Sequence, residues 1–410
     1  MKIKIFTSVL ILFSISFLYA QDKEVRIKLV NKLGFERTDS YVMLPFSVIR
    51  KKNISLNPER LKIADGNKEI PYQLEVNEKG DLYISLAADF KPNEIKSVVI
   101  SDAGRTQSFK SRTYAELAMK SNPRFDGKRT HGTSFENVKE IKVPDWHIDH
   151  DGLFKYEGPG WESEKVGYRF YLDWRNATDI FGKKLNQLVL KNVGAKDSIA
   201  DNNESYHSMQ EWGMDIFKVG NSLGIGAFGT MNSGKLLMVS KTDSIKFTIL
   251  MNGPVKSEIR TSYYGWPADG KKINLEARYS ITAGSRLTKA TIAFKGKINN
   301  IATGLVKYNG TNFHKGKSGK GWSYIALYGK QSLAGDNLGI ALFYRVEDLL
   351  EVTEDSLNHL VVLKPAGGKS EYYFCAAWEK EQGGITNEND FIKYLDKTAD
   401  ELNHPVVIGK

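Results

Sequence analysis

The sequence predicts an all-β protein: a small N-terminal β-sandwich followed by a large antiparallel β-sandwich, with few helices. Three observations lead there. Short runs alternate apolar and polar residues along nearly the whole chain, the period-two signature of half-buried strands. Glycines and lysines punctuate these runs, and helical periodicity is nearly absent. A long series of strands without intervening helices argues against an α/β fold, and the lack of a fixed repeat length disfavours a propeller.

At the N-terminus, Lys2 and Lys4 precede an apolar run over residues 5–19, and Tyr19-Ala20 ahead of Gln21-Asp22 supplies a small residue at the cut. Residues 1–20 therefore read as a cleavable signal peptide. The run is short for a membrane span, which needs ~20 apolar residues. A periplasmic or secreted protein without a membrane span is expected, and no cysteine follows the cut to carry a lipid anchor. The 410 residues, less this leader, exceed what one core serves, since cores stop growing near ~250–300 residues. Residues 21–105 are expected to form the small sandwich, with alternating strands at 25–30, 81–86 and 96–100. Residues 106–410 are expected to form the larger, catalytic sandwich. It opens with a short helix over residues 111–120. Strands follow at 223–228, 245–251, 258–264, 273–282, 286–294, 323–327, 339–344, 360–363 and 371–377. Near the end, Asn387 is placed to cap a helix with Phe391, Leu395, Ala399 and Leu402 on one face.

Loss of Lys2 and Lys4 takes two from the formal net charge of +10. A basic exported protein suits an anionic partner, and an acidic glycan fits export better than nucleic acid, because the basic residues are spread along the chain. A solubility role for the charge is the plainer alternative. The single Cys375 has no internal disulfide partner and sits in an apolar run that reads as a buried strand. No zinc-protease helix or P-loop occurs, and the GIGAFG string of residues 224–229 places its glycines among apolar residues, which suits a tightly packed strand better than a phosphate cradle.

Titratable and aromatic residues are densest between residues 146 and 184, as a polar-ligand site requires. His147, Asp149, His150 and Asp151 fall within five positions. On a strand, His147, Asp149 and Asp151 share one face, and this set leaves a divalent cation open; a catalytic or substrate-contacting histidine is the favoured reading, with a structural turn as the remaining alternative. Trp161 and Glu162 follow a Gly- and Pro-rich turn, where an indole can stack on a sugar or simply cover the core. Arg169, Tyr171, Asp173 and Arg175 alternate onto one strand face. The arginines offer bidentate recognition of a carboxylate or sulfate, with internal Arg–Asp pairing as the equal alternative. A second cluster holds His207, Trp212 and Lys218; a third holds Tyr263, Tyr264 and Trp266. His131 lies in a glycine-rich loop.

The strings GPGWESEKVGYRFYLDWRNATDIFGKK (residues 158–184) and YHSMQEWGMDIFKVGNSLGIGAFG (residues 206–229) resemble a family first described as a domain of unknown function. It is found among exported proteins of polysaccharide-degrading bacteria, beside uronate-processing enzymes. The resemblance extends over most of the mature chain. It implies a galactose-mutarotase-like super-β-sandwich, as in several polysaccharide lyases, and dehydration of ulvan-type oligosaccharides. That reaction takes the C5 proton and the C4 hydroxyl from a non-reducing-end uronate, leaving a 4,5-unsaturated sugar. On the chemistry of the residues, His150 or His207 is the base, Arg169 or Arg175 neutralises the carboxylate, and Tyr168 or Tyr264 serves as acid or base. His131, Trp161, Glu162, Arg175, Trp212, Lys218, Tyr263 and Tyr264 are the expected substrate contacts. No cofactor is required by this scheme. The alternatives are an exolytic uronate lyase, a hydrolase using Glu162 and Asp173, and a non-catalytic acidic-glycan-binding protein stacking sugars on Trp161, Trp212 and Trp266.

Overall fold

A computed structural model describes residues 24–53, 55–194, 206–268 and 270–409. The signal-peptide reading lies outside the described residues, as do residues 195–205. Within them the chain is all-β, with many antiparallel strands and two α-helices.

The first unit packs two sheets. One runs Val407–Ile408, Val25–Val30, Ile95–Asp102, Leu61–Asp65, Lys68–Glu69; the other runs Arg37–Pro45, Leu82–Phe90, Tyr72–Val76. Alternation is plain in Val25–Val30, where Val25, Ile27 and Leu29 are buried and the residues between them are exposed. Leu29, Leu44, Leu61, Ile84, Val98 and Ile100 meet in its core. A helix over Phe46–Lys52, which the alternation pattern hides, follows Pro45 and buries Phe46 and Ile49, three residues apart on one face.

The second unit is built on a nine-stranded antiparallel sheet running from Glu140–Lys142 through Lys256–Ala268 and Lys369–Trp378 to Thr311–Lys315. Two five-stranded sheets share its core. One contains Ile225–Asn232 and Ile301–Val306. The other runs Gly213–Asp215, Thr178–Lys183, Gly167–Phe170, Gly160–Ser163, Thr113–Glu116, and it carries the site. Trp161 and Phe170 from this sheet, Phe228 and Leu305 from its companion, and Tyr263 and Tyr279 from the large sheet belong to one cluster. The opposite face of the large sheet is capped at one end by helix Glu388–Asn403 through Phe391 and Leu395. The Asn387 side chain accepts the Asp390 N–H at 2.9 Å.

The helix expected over residues 111–120 is instead two strands, Thr113–Glu116 and Ala118–Lys120. Tertiary pairing overrides local propensity there: Ala115 lies opposite Trp161, and its N–H donates to the Asn252 side chain at 3.0 Å. No helix among the described residues is long and apolar enough to cross a membrane.

Candidate functional site

Over the free face of the five-stranded sheet lies a hollow of about 620 Å³. Its floor is set by register. Arg169 is the direct cross-strand partner of Asp179, and Asp215 pairs with Phe181 two residues further on, so all three side chains share one face. Arg169 is 2% exposed and donates through Nη2 to Asp179 Oδ2 and Asp215 Oδ2, each at 2.6 Å, and through Nη1 to the Tyr206 hydroxyl at 3.2 Å. The Tyr171 hydroxyl donates to Asp179 Oδ2 at 2.5 Å. Burial, reinforced by Asp215, pushes the Asp179 carboxyl up to about 6. Burial likewise raises the Tyr171 and Tyr206 phenols, against the pull of Arg169, so both stay protonated at neutral pH.

One wall is the loop over residues 144–157. The segment takes the turn alternative and forms no strand around His147. Asp151 is buried and accepts His147 Nδ1 at 2.9 Å and the Leu153 N–H at 2.8 Å, winding the chain into turns. His147, Asp149 and Asp151 therefore share no face. Among the described residues no group of three His, Cys, Asp or Glu side chains is arranged to hold a metal. His147 is a buried latch, whereas the His150 side chain is 72% exposed and lines the hollow. His150 has φ 58° and Glu157 has φ 70°, conformations that L-residues rarely take. Two such residues bordering one cavity are the kind of backbone strain that clusters at functional sites. Glu157 binds Arg175 Nη2 at 2.7 Å and lies 3.4 Å from His150 Nε2. Burial works to raise its carboxyl, but Arg169 and Arg175 outweigh it and hold the group below the usual range.

The opposite wall is the second cluster. His207 Nδ1 lies 3.1 Å from Asp215 Oδ2, its side chain 58% exposed, and its ring centroid is 4.3 Å from that of Tyr206. Lys218 and Arg129 are exposed lining residues with no ion-pair partner among the described residues. Trp174 and Leu333 complete the lip.

Of the residues expected at the site, His150, His207, Arg169, Arg175 and Lys218 line this hollow together. The arginines take the internally paired alternative: Arg169 is held as above, and Arg175 donates to Asp173 Oδ1 and Oδ2 and to Glu157. Asp149 and Tyr171 line the hollow too, and the other expected catalytic and substrate-contacting residues do not. Tyr168 alternates away from Arg169 into the core, where its hydroxyl donates to the Arg286 carbonyl at 2.7 Å and accepts the Ala376 N–H. Trp161 is fully buried against Tyr279, its indole N–H on Thr288 Oγ1. Glu162 is buried with Lys183 Nζ at 2.7 Å and the Val189 and Leu190 N–H groups, so it cannot form an acid pair with Asp173, itself buried under Arg175. Tyr263 is buried and donates to Asn176, and Trp266 is buried with its N–H on the Met238 carbonyl. Tyr264 is exposed on the large sheet, outside the lining. Trp212 packs edge-on against Phe181, and His131 is tied to Asp126 at 2.7 Å on a surface hairpin. Arg129, Glu157, Trp174, Tyr206 and Asp215 are among the lining residues to which sequence reasoning gave no role. The Tyr206-His207 dipeptide was the available signal for one of them; for Asp215 it was the alternation toward Phe217.

The chain is 22% identical over 271 residues to an uncharacterized protein, P7, of Formosa agariphila, covering 61% of this chain and 66% of the relative. Among solved structures it is similar to a protein in glycosyl hydrolase family 38 and to an alpha-mannosidase, both from Enterococcus faecalis. Each has 10% identity and a TM-score of 0.45 over 95% of this chain, which spans about half the length of those proteins, 48% and 46%. The model of a domain of unknown function, DUF4861, matches residues 29–408, and the chain belongs to that family.

Proposed function

We propose that the hollow is the active site of a carbohydrate-active carbon–oxygen lyase that dehydrates the terminal uronate of an acidic oligosaccharide such as an ulvan fragment. One observation carries this reading: His207, backed by Asp215, sits beside the protonated Tyr206 in a hollow whose exposed cations Arg129 and Lys218, without an ion-pair partner among the described residues, can receive a carboxylate. Arg169 and Arg175 hold the floor together and have no charge to spare for the substrate.

In this scheme the uronate carboxylate lies between Arg129 and Lys218, which neutralise it and hold the enediolate charge as it develops. His207 takes the C5 proton. Asp215 fixes its ring and stabilises the imidazolium, the part that an orienting carboxylate plays beside other catalytic histidines. Tyr206 accepts Arg169 Nη1, which leaves its own proton for the C4 oxygen. The C4–O bond breaks, the C4–C5 double bond forms, and water leaves. The proton on His207 then returns to the Tyr206 oxygen. Acid and base stand side by side, so both act on one face of the ring. That geometry suits a syn elimination, in which C5–H and C4–O are cis, as in glucuronate and not in iduronate.

Mass spectrometry after incubation with glucuronate- and iduronate-terminated oligosaccharides tests the reading. The expected product is lighter by one water, has unchanged chain length and absorbs in the near ultraviolet, and it forms from the glucuronate series. His207→Ala should lower turnover by ~10²–10⁴-fold, the range of positioned acid–base groups, at an unaltered thermal midpoint. Shortened sugars would instead indicate an exolytic lyase. Binding without any product would indicate a glycan-binding protein.

A further inference from the structure

We propose that Trp174 is a sugar-stacking platform at the lip of the hollow, so that the site takes an oligosaccharide with at least two rings engaged and discriminates against the free monosaccharide. The proposal deepens the reading above and rests on it for the identity of the terminal sugar.

The turn that presents Trp174 carries the argument. Its neighbours Asp173, Arg175 and Asn176 are 5%, 7% and 3% exposed, while Trp174 between them is 44% exposed and lines the hollow. Each neighbour is anchored. Asp173 Oδ1 accepts both the backbone N–H and Nε of Arg175 at 2.9 Å. Arg175 reaches Glu157 at 2.7 Å and lies 3.9 Å from the Tyr171 ring centroid. The Asn176 side chain donates to the Val239 carbonyl and accepts the Tyr263 hydroxyl at 3.0 Å, holding φ at 41°. A surface turn with no task would not need so many buried anchors. Here they fix the backbone on both sides of one exposed indole.

An exposed large aromatic on a rigid mount loses little conformational entropy when a ligand covers it. Its apolar face suits the C–H face of a pyranose. The other tryptophans expected to stack, Trp161 and Trp266, are fully buried, and Trp212 is packed on Phe181. Leu333, 46% exposed, is a second exposed apolar residue lining the hollow. At about 620 Å³ the hollow falls within the ~300–1,000 Å³ of sites that hold drug-sized ligands, room for more than one sugar ring. The charged groups that would grip a carboxylate, Arg129 and Lys218, and the acid–base pair lie within the same cavity. A ring next to the terminal uronate therefore has the indole available to it.

Calorimetric titration of the full chain and of Trp174→Ala and Trp174→Phe is the test. The panel is free glucuronate, a glucuronate-terminated trisaccharide, and neutral trisaccharides of the same length. The expected result is that the ratio of trisaccharide to monosaccharide affinity falls about tenfold in Trp174→Ala, a loss of roughly 1.4 kcal/mol, and is largely restored in Trp174→Phe. An unchanged ratio in a variant with wild-type thermal midpoint overturns the platform. If the wild type ignores uronates yet binds a neutral trisaccharide in a Trp174-dependent way, the uronate reading fails and the platform stands. If it binds none of the panel, both fail.

Discussion

Asp179 carries an unusual proton at the scale of single residues. Its carboxyl is fully buried, and burial together with Asp215 lifts it to about 6 despite Arg169. A carboxyl whose folded value exceeds its unfolded one binds more protons in the folded state between the two. Its contribution to stability is present below the ordinary value of 3.8 and is lost as pH rises through about 6. Wild-type stability should therefore fall relative to Asp179→Asn from about pH 4 to about pH 7, with a flat difference outside that window. Urea midpoints at a series of pH values check this, and parallel profiles would sink it. Single residues also mark the limit of reading from sequence. His150 and His207 were legible because exposed imidazoles stand out in dense polar stretches. Tyr168 and Arg169 were not separable, because all four residues of Gly167–Phe170 are buried and only the sheet's position decides which face meets the hollow.

Elements position the site through close backbone approach. The turn carrying Glu157 lies directly on the strand that leads to Tyr171: the Leu172 N–H donates to the Glu157 carbonyl at 3.0 Å, and the Phe170 N–H to that of Pro159. At Gly158 an added Cβ would sit 1.9 Å from the Phe170 carbonyl oxygen, which is backbone and cannot swing aside. Gly158→Ala is expected to push the turn off the sheet, lower stability by about 1–3 kcal/mol as overpacking does, and loosen the Glu157 contacts to Arg175 and His150. The check is a thermal midpoint read beside turnover; a variant unchanged in both would show that the turn is not clamped. The element pattern itself was largely legible, since strands such as Lys271–Thr282 bury every second residue from Ile273 to Ile281. The failure at residues 111–120 has a physical origin. A stretch of good helix formers was recruited to a sheet by Trp161 and Asn252, partners 46 and 137 residues away from Ala115.

For the whole molecule the question is what joins the small sandwich to the site-bearing one. Lys256, on the large sheet, extends its ammonium to Glu75 of the small unit at 2.9 Å and to Glu258 at 2.7 Å; the Tyr41 hydroxyl donates to Glu75 at 2.7 Å. Burial alone would lower the lysine, but Glu258, Tyr41 and Glu75 outweigh it and raise it. Gln73 adds a neutral clamp: its carbonyl accepts the Val255 and Lys256 N–H groups, and its amide donates to the Lys256 carbonyl. Elsewhere Arg112 bridges Asp39 and Glu164, and the chain's own tail returns as strand Val407–Ile408 beside Val25–Val30. A two-residue strand pairing so far along the chain leaves no sequence signal, so this closure could be seen only in three dimensions. Lys256→Met keeps the volume but strands two largely buried carboxylates, and removing one partner of a buried pair costs about 3–5 kcal/mol. The small sandwich should then melt ahead of the large one, splitting the calorimetric transition in two. Adding Glu75→Gln should recover part of the loss by removing one stranded charge. A Lys256→Met protein that melts in one step at the wild-type temperature would show that the clamp and the returning strand hold the two sandwiches together without the charges.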